Sequence, residues 1–321
     1  MTRAGLAGIS FLVVVAAGTI LAPALPLRDP AAQPDGLVLR DLPPWTRVDA
    51  VRLANGRVRY AHEVREPGDG GVEIRRGESW ERIPASALDG GGAAAARSRE
   101  LFALGTDGFG RDLLSRIVHG ARVSLAVGLL AALGAVLLGG ALGVVAGLLG
   151  GAADALIMRA ADVFLSVPRL FLLLLLVALH GPSLVGTVLV IALTSWMAAA
   201  RLARAEILSL RERDFVRSAT AAGAGPLRIA ARYLLPGAMG PLLVEATLRV
   251  GQCLLLEASL SFLGLGVPPP IASWGSIVAD GRDAIPAAWW ISTLPGIAIA
   301  ATVLAVNATG EGLRRRIEGG R

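Results

Sequence analysis

The chain has 321 residues, 54% of them hydrophobic and 17% charged, with a mean hydropathy of +0.62. Soluble domains are usually about 45–50% apolar and richer in charge, so this composition excludes an ordinary soluble fold. The net charge is +6 and all 31 basic residues are arginine. They gather at the borders of apolar runs and not along one soluble face, which argues against nucleic-acid binding.

A run of about 20 apolar residues crosses a bilayer. Six such runs are legible, at about Leu6–Ala24, Val123–Leu149, Ala155–Leu179, Leu184–Ala203, Ala238–Phe262 and Ala288–Asn307. The expectation is therefore an all-α polytopic membrane protein with six transmembrane helices. A cleaved signal peptide is the alternative reading of the first run, with Ala22-Pro23-Ala24 as a small-x-small site. The run is long for such a leader, and only Arg3 precedes it.

Three domains are expected: the N-terminal helix at 1–24, a small extracytoplasmic module at 25–104, and a core at 105–321 with five helices. In the module, Val51 to Tyr60 alternates around Asn55-Gly56, a hairpin signal, and Val72 to Ile83 reads as a second, weaker hairpin. The β-containing insertion then ends in a linker over Gly90 to Ala96. The module is too small for much core of its own.

In the second span, Gly139, Gly143, Gly147 and Gly151 recur at spacing four and predict a helix face that packs closely on a neighbour. In the third, Arg159, Asp162, Ser166 and Arg169 fall on one helical stripe, with Pro168 as a kink site. Charge inside a membrane faces a bundle interior or a water-filled path. The stripe either lines such a path, with Arg169 deep in it, or its first turns lie among headgroups. In the fifth, Glu245 and Arg249 stand at i, i+4, the spacing of a structural pair, near Gln252. Glu257, further along, needs a partner or water. Cys253, the single cysteine, sits in the same apolar run and reads as a packing residue.

The loop 204–236 is too polar to span and too ordered for a linker. Asp214 to Gly223 predicts a short helix, with Asp214 as N-cap and Gly223 as its stop. Pro226 opens a second helix that Pro236 ends. With Phe215 and Val216 exposed, these helices suit docking into another protein's groove, or an amphipathic hairpin on the membrane. Arginines 204, 211, 213, 217, 228 and 232 in this loop, and 314, 315, 316 and 321 at the end, mark the cytoplasmic side. Both termini are then cytoplasmic.

The stretch Asp214 to Pro236 resembles the EAA loop of binding-protein-dependent ABC importer permeases. Arg217-Ser218-Ala219 stands where Glu-Ala-Ala is usual, and Gly223 and Leu235-Pro236 match. Gly105 to Leu125, Glu257 to Pro269, Ser273-Trp274-Gly275, Gly281-Arg282, Trp289-Trp290, Pro295-Gly296 and Asn307 to Arg314 are similar to the oligopeptide/dipeptide/nickel branch, in its C-type subunit. The resemblance covers about Gly105 to Arg316. It implies a permease subunit of the bacterial inner membrane that forms half of a peptide path. Its partners would be a second homologous permease, two cytoplasmic ATP-binding subunits and an extracytoplasmic solute-binding protein. It also implies that Asp214, Phe215, Val216, Arg217, Ser218, Ala219, Gly223, Leu235 and Pro236 dock the ATPase. Candidate path residues are Arg169, Asp162, Ser166 and Glu257.

A P-loop needs a lysine on the phosphates, and the chain has none, so the ATPase belongs to a separate chain and ATP is used there. No cofactor, metal cluster or catalytic triad is expected: His119 and His180 are far apart in sequence and His62 lies in the module. Import of nickel complexes or another small solute is the alternative substrate reading. An ion-driven secondary transporter would show internal repeats and helices broken at mid-membrane; no repeat between the halves is evident, and the docking loop does not fit that reading. A membrane enzyme would show a cluster of His, Cys or carboxylates.

Overall fold

The computed structural model describes residues 3–318. Arg321 of the terminal arginine group lies outside the described residues. In chain order the elements are α1 (Arg3–Leu21), β1 (Thr46–Arg52), β2 (Val58–Ala61), β3 (Glu63–Arg65), β4 (Val72–Arg76), β5 (Ser79–Ile83), α2 (Ala93–Ala96) and β6 (Arg97–Phe102). Then come α3 (Leu113–Leu149), α4 (Gly151–Ser166), α5 (Arg169–His180), α6 (Leu184–Leu193), α7 (Trp196–Arg211), α8 (Asp214–Ala221), α9 (Pro226–Ile229), α10 (Leu235–Phe262), α11 (Trp274–Asp280) and α12 (Trp290–Glu318).

The chain is mostly helical. Among the described residues, four helical stretches are long and apolar enough to cross a membrane: Gly5–Ala24, Leu113–Leu149, Pro226–Phe262 and Trp290–Ile317. Two further pairs pass the same test only together, α4 with α5, bent by 91°, and α6 with α7, bent by 41°. The sharper bend lies at Val167-Pro168. Val167 is extended (φ −90°, ψ 129°), as a residue before proline prefers, so the expected kink is a full break. The stripe from Arg159 to Arg169 is thereby split: Arg159, Asp162 and Ser166 stay on α4 and Arg169 opens α5.

The chain divides into two compact units. One holds the described residues up to Gly18, Arg122–Pro268 and the described residues from Ala298 onward; the other holds Thr19–Ala121 and Pro269–Ile297. These boundaries differ from the expected 25–104 module, because the stretch between α10 and α12 folds with it.

In the first unit, the buried residues Val127, Ala131, Leu173, Ile191, Cys253 and Leu260 form the main apolar core. Gly139 and Gly143 face α7 so closely that a Cβ on either would collide with the backbone oxygen of Trp196 or Ala200. A Cβ on Gly147 would meet Ile207 at 2.8 Å. The small-residue face is thus an internal α3–α7 contact. Gly151 is not part of it: its φ is +53° and it begins α4, where a Cβ would meet nothing within 4 Å.

In the second unit, β2-β1-β6 and β3-β4-β5 form two antiparallel three-stranded sheets. The Asn55-Gly56 turn joins β1 to β2, with Arg52 opposite Val58 and Gly56 at φ +78°. The second hairpin pairs Val72 with Ile83 and turns at Gly77, φ +63°. Where little core was expected, Val51, Ala61, Val72, Ile74, Ile83 and Leu88 are buried together, and Val38, Leu39, Val48, Tyr60 and Phe102 form a second cluster. The expected linker is partly helical, over Ala93–Ala96, and runs straight into β6.

Candidate functional site

The polar loop is held from beneath. Val216 of α8 is buried with Ile207, Leu210, Ile229, Leu234 and Ala238, so it anchors the loop and is not exposed as expected. Phe215, its neighbour on the helix, is 48% exposed and lies 6.0 Å from the Tyr233 ring, centroid to centroid. Leu227 is 83% exposed. Arg217 and Glu212, both on the surface, pair at 2.6 Å.

The caps differ in part from expectation. Arg213 is the N-cap residue, and Asp214 lies inside the first turn, where its charge still favours the helix N-terminus. Gly223 stands just past the end with φ +81°. The backbone N–H of Ala224 donates to Ala219 O at 3.0 Å and that of Gly223 to Thr220 O at 3.0 Å. This six-to-one closure needs the left-handed conformation that glycine adopts freely. Ser218 accepts from Ala222 N–H through its backbone oxygen at 3.0 Å.

Pro236 does not end a helix. It follows a π-turn at Ala230–Leu234 through which α9 runs into α10 with helical backbone at Ile229, Leu234 and Leu235, so the altered hydrogen-bond register before it accommodates the proline. The second loop helix is therefore the start of one continuous stretch, Pro226–Phe262. A cavity of about 600 Å³ opens between α8 and this stretch, lined by Glu212, Arg217, Thr220, Pro226, Ile229 and Leu234 among others.

The candidate path residues separate. Asp162 pairs with Arg201 of α7 at 2.5 Å, both exposed, and Asp154 pairs with Arg204 at 2.6 Å. Two ion pairs thus tie α4 to α7. Ser166 donates to Val163 O at 2.8 Å. Glu257 is fully buried and accepts from Ser124 Oγ at 3.1 Å and Ser261 Oγ at 2.7 Å, so in this conformation it presents no surface to a path. Arg169 donates to Ser195 Oγ, at the α6–α7 break. Arg249 donates to Gln252 Oε1 at 2.8 Å and pairs with Glu245, as the i, i+4 spacing predicts.

Sequence reading missed a buried ionic cluster in the second unit. Asp107 has no exposed side chain. It accepts from the backbone N–H of Phe109 at 2.9 Å and Arg111 at 3.0 Å, from Arg111 Nε at 2.7 Å, and from Arg116. Asp280 receives Arg111 and Arg116, each at 2.8 Å. Trp274 Nε1 donates to Ile117 O at 2.9 Å, and Trp290 Nε1 to Thr106 O at 3.3 Å. The Gly105–Leu125, Ser273–Gly275 and Trp289-Trp290 segments, widely spaced in sequence, thus share one structural knot. Asp107 and Arg111 stand four apart but ahead of the helix that starts at Leu113, and Asp280 is far off in sequence, so the charges carry no periodic signal.

Together these features define a multi-pass membrane protein with a rigidly anchored polar loop and broken helices. Residues 139–320 match the family described as binding-protein-dependent transport system inner membrane component. The chain is 45% identical over 235 residues to the Di/tripeptide transport system permease protein DppC of Pseudomonas aeruginosa, covering 73% of this chain and 75% of that protein. It is 42% identical over 214 residues to the Dipeptide transport system permease protein DppC of Alkalihalophilus pseudofirmus, covering 67% and 70%. Among solved structures, inward facing conformations of the MetNI methionine ABC transporter share the fold, with a TM-score of 0.53 and 18% identity over 64% of this chain and 97% of that one. The chain belongs to the family of binding-protein-dependent transport system inner membrane components.

Proposed function

We propose that this chain is one of two permease subunits in an ATP-driven importer of di- and oligopeptides in a bacterial inner membrane. The observation that carries the substrate class is the 45% identity, over 73% of the chain, to a permease named for di- and tripeptides. In this reading each bent helix pair is one crossing, which gives six spans with both termini in the cytoplasm. The β-containing module, 25–104, lies outside, where a solute-binding protein delivers substrate. The loop 204–236 lies inside and docks a separate ATPase. Phe215, Arg217, Ser218 and Leu227 present the contact surface, and Val216 with Leu234 holds it rigid. ATP is used on the partner, whose closure moves α8 and, through the continuous stretch from Pro226 to Phe262, the middle of the membrane.

Reconstituted with its partners, the complex should take up a labelled tripeptide only with ATP inside and binding protein outside. Uptake that persists without ATP, or follows an ion gradient instead, contradicts the proposal.

A further inference from the structure

Two helix breaks and one unbroken helix meet at a small cavity of about 200 Å³ in the first unit. Arg169 and Ser195 line it from the breaks, and Arg249 lines it from the midpoint of α10. Phe164 and Leu165 give it an apolar wall, and no carboxylate is among its lining residues. Arg249 has 9% of its side chain exposed. The Nε–H groups of both arginines are buried and have no hydrogen-bond partner among the described residues. Glu245 neutralises Arg249, whereas Arg169 donates to the neutral Ser195 hydroxyl. Burial of a guanidinium charge with donors left over is costly unless an anion completes the site.

We infer that this cavity is a carboxylate-binding subsite on the substrate path, where Arg169 and Arg249 hold a carboxylate of the translocating peptide. The inference rests on the peptide-importer reading. The planar fork of arginine matches a carboxylate through two parallel hydrogen bonds. The subsite would serve the terminal carboxylate common to peptides or an acidic side chain.

The test uses the whole complex in proteoliposomes with saturating binding protein and three labelled peptides. Ala-Ala-Ala carries a terminal carboxylate, Ala-Glu-Ala amide carries only a side-chain carboxylate, and Ala-Ala-Ala amide carries neither. Arg169→Gln should lower uptake of one or both carboxylate peptides about tenfold or more, the loss expected for a charge-assisted contact, and leave the neutral amide near wild type. Arg169→Lys should restore part of the loss. Which of the two falls identifies the carboxylate that is read. Equal uptake in wild type and Arg169→Gln, or an equal fall for all three peptides, overturns the subsite alone. A wild-type complex that imports none of the peptides overturns the peptide reading and this inference with it. If Arg169→Gln does not assemble, Ala198→Glu decides. Ala198 is exposed and lines the cavity, so the added carboxylate should occupy the arginines and depress uptake of carboxylate peptides selectively. Normal selectivity in that variant overturns the subsite.

Discussion

The Asp107 carboxylate receives four donors, the backbone N–H groups of Phe109 and Arg111, Arg111 Nε and Arg116, and its neighbour Asp280 shares the same two arginines. Removing one charge from such a set leaves the others buried and uncompensated. Asp107→Asn should therefore destabilise the protein by about 3–5 kcal/mol, seen as a large drop in thermal midpoint in detergent. Asp280, more exposed, should cost less. Asp112 has the opposite character. Burial raises its carboxyl above 3.8, although the Ser115 N–H and Arg28 beside it act to lower it. The folded state then binds the proton more tightly than the unfolded chain. The contribution to stability is complete below 3.8 and lost as pH rises through the folded value. Asp112→Asn should flatten the fall in thermal midpoint over that rise; a slope unchanged from wild type would assign it to another group.

At the scale of elements, the α3–α7 contact depends on the absence of side chains at Gly139, Gly143 and Gly147. Gly143→Leu would force the helices apart and should cost about 3 kcal/mol or block accumulation in the membrane, whereas Gly151→Ala, off that face, should be tolerated there except for the strain of its positive φ. Much of this was legible in sequence because it is periodic. Glycines at spacing four, the Asn-Gly hairpin and the i, i+4 pair of Glu245 and Arg249 each announce a local geometry. What was not legible depends on tertiary context. Strand β6 reads Arg-Ser-Arg-Glu-Leu-Phe, which lacks a strand pattern. It is an edge strand whose Arg97 and Arg99 face Asp49 across the sheet. Pro236 has the sequence of a helix stop, and the π-turn before it lets the helix run on through it. The N-cap shifted by one residue because Asp214 favours a helix start from either position.

At the scale of the molecule, six apolar runs were countable, but two of them are broken, and the break at Pro168 moved Arg169 off its expected stripe to a cavity it shares with Arg249. The apolar count sets an upper number of six spans, four of them single helical stretches, while continuity depends on single residues. In the proposed docking loop the glycine and Leu-Pro spacing marks the candidate positions. Their division of labour was not, since Val216 and Phe215 are adjacent and equally apolar yet one anchors and the other is presented. The central claim is that this loop couples the chain to a separate ATPase. Gly223 tests it well, because a Cβ there meets nothing within 4 Å and the cost of its positive φ stays local, about 1–2 kcal/mol. The measurement is co-purification of the chain with its ATPase, wild type against Gly223→Glu, with peptide-stimulated ATP hydrolysis assayed in the eluate. The account predicts that the variant remains in the membrane at wild-type level but loses the ATPase or its stimulation. A variant that retains both, or a wild-type chain that purifies alone and transports without ATP, would contradict it.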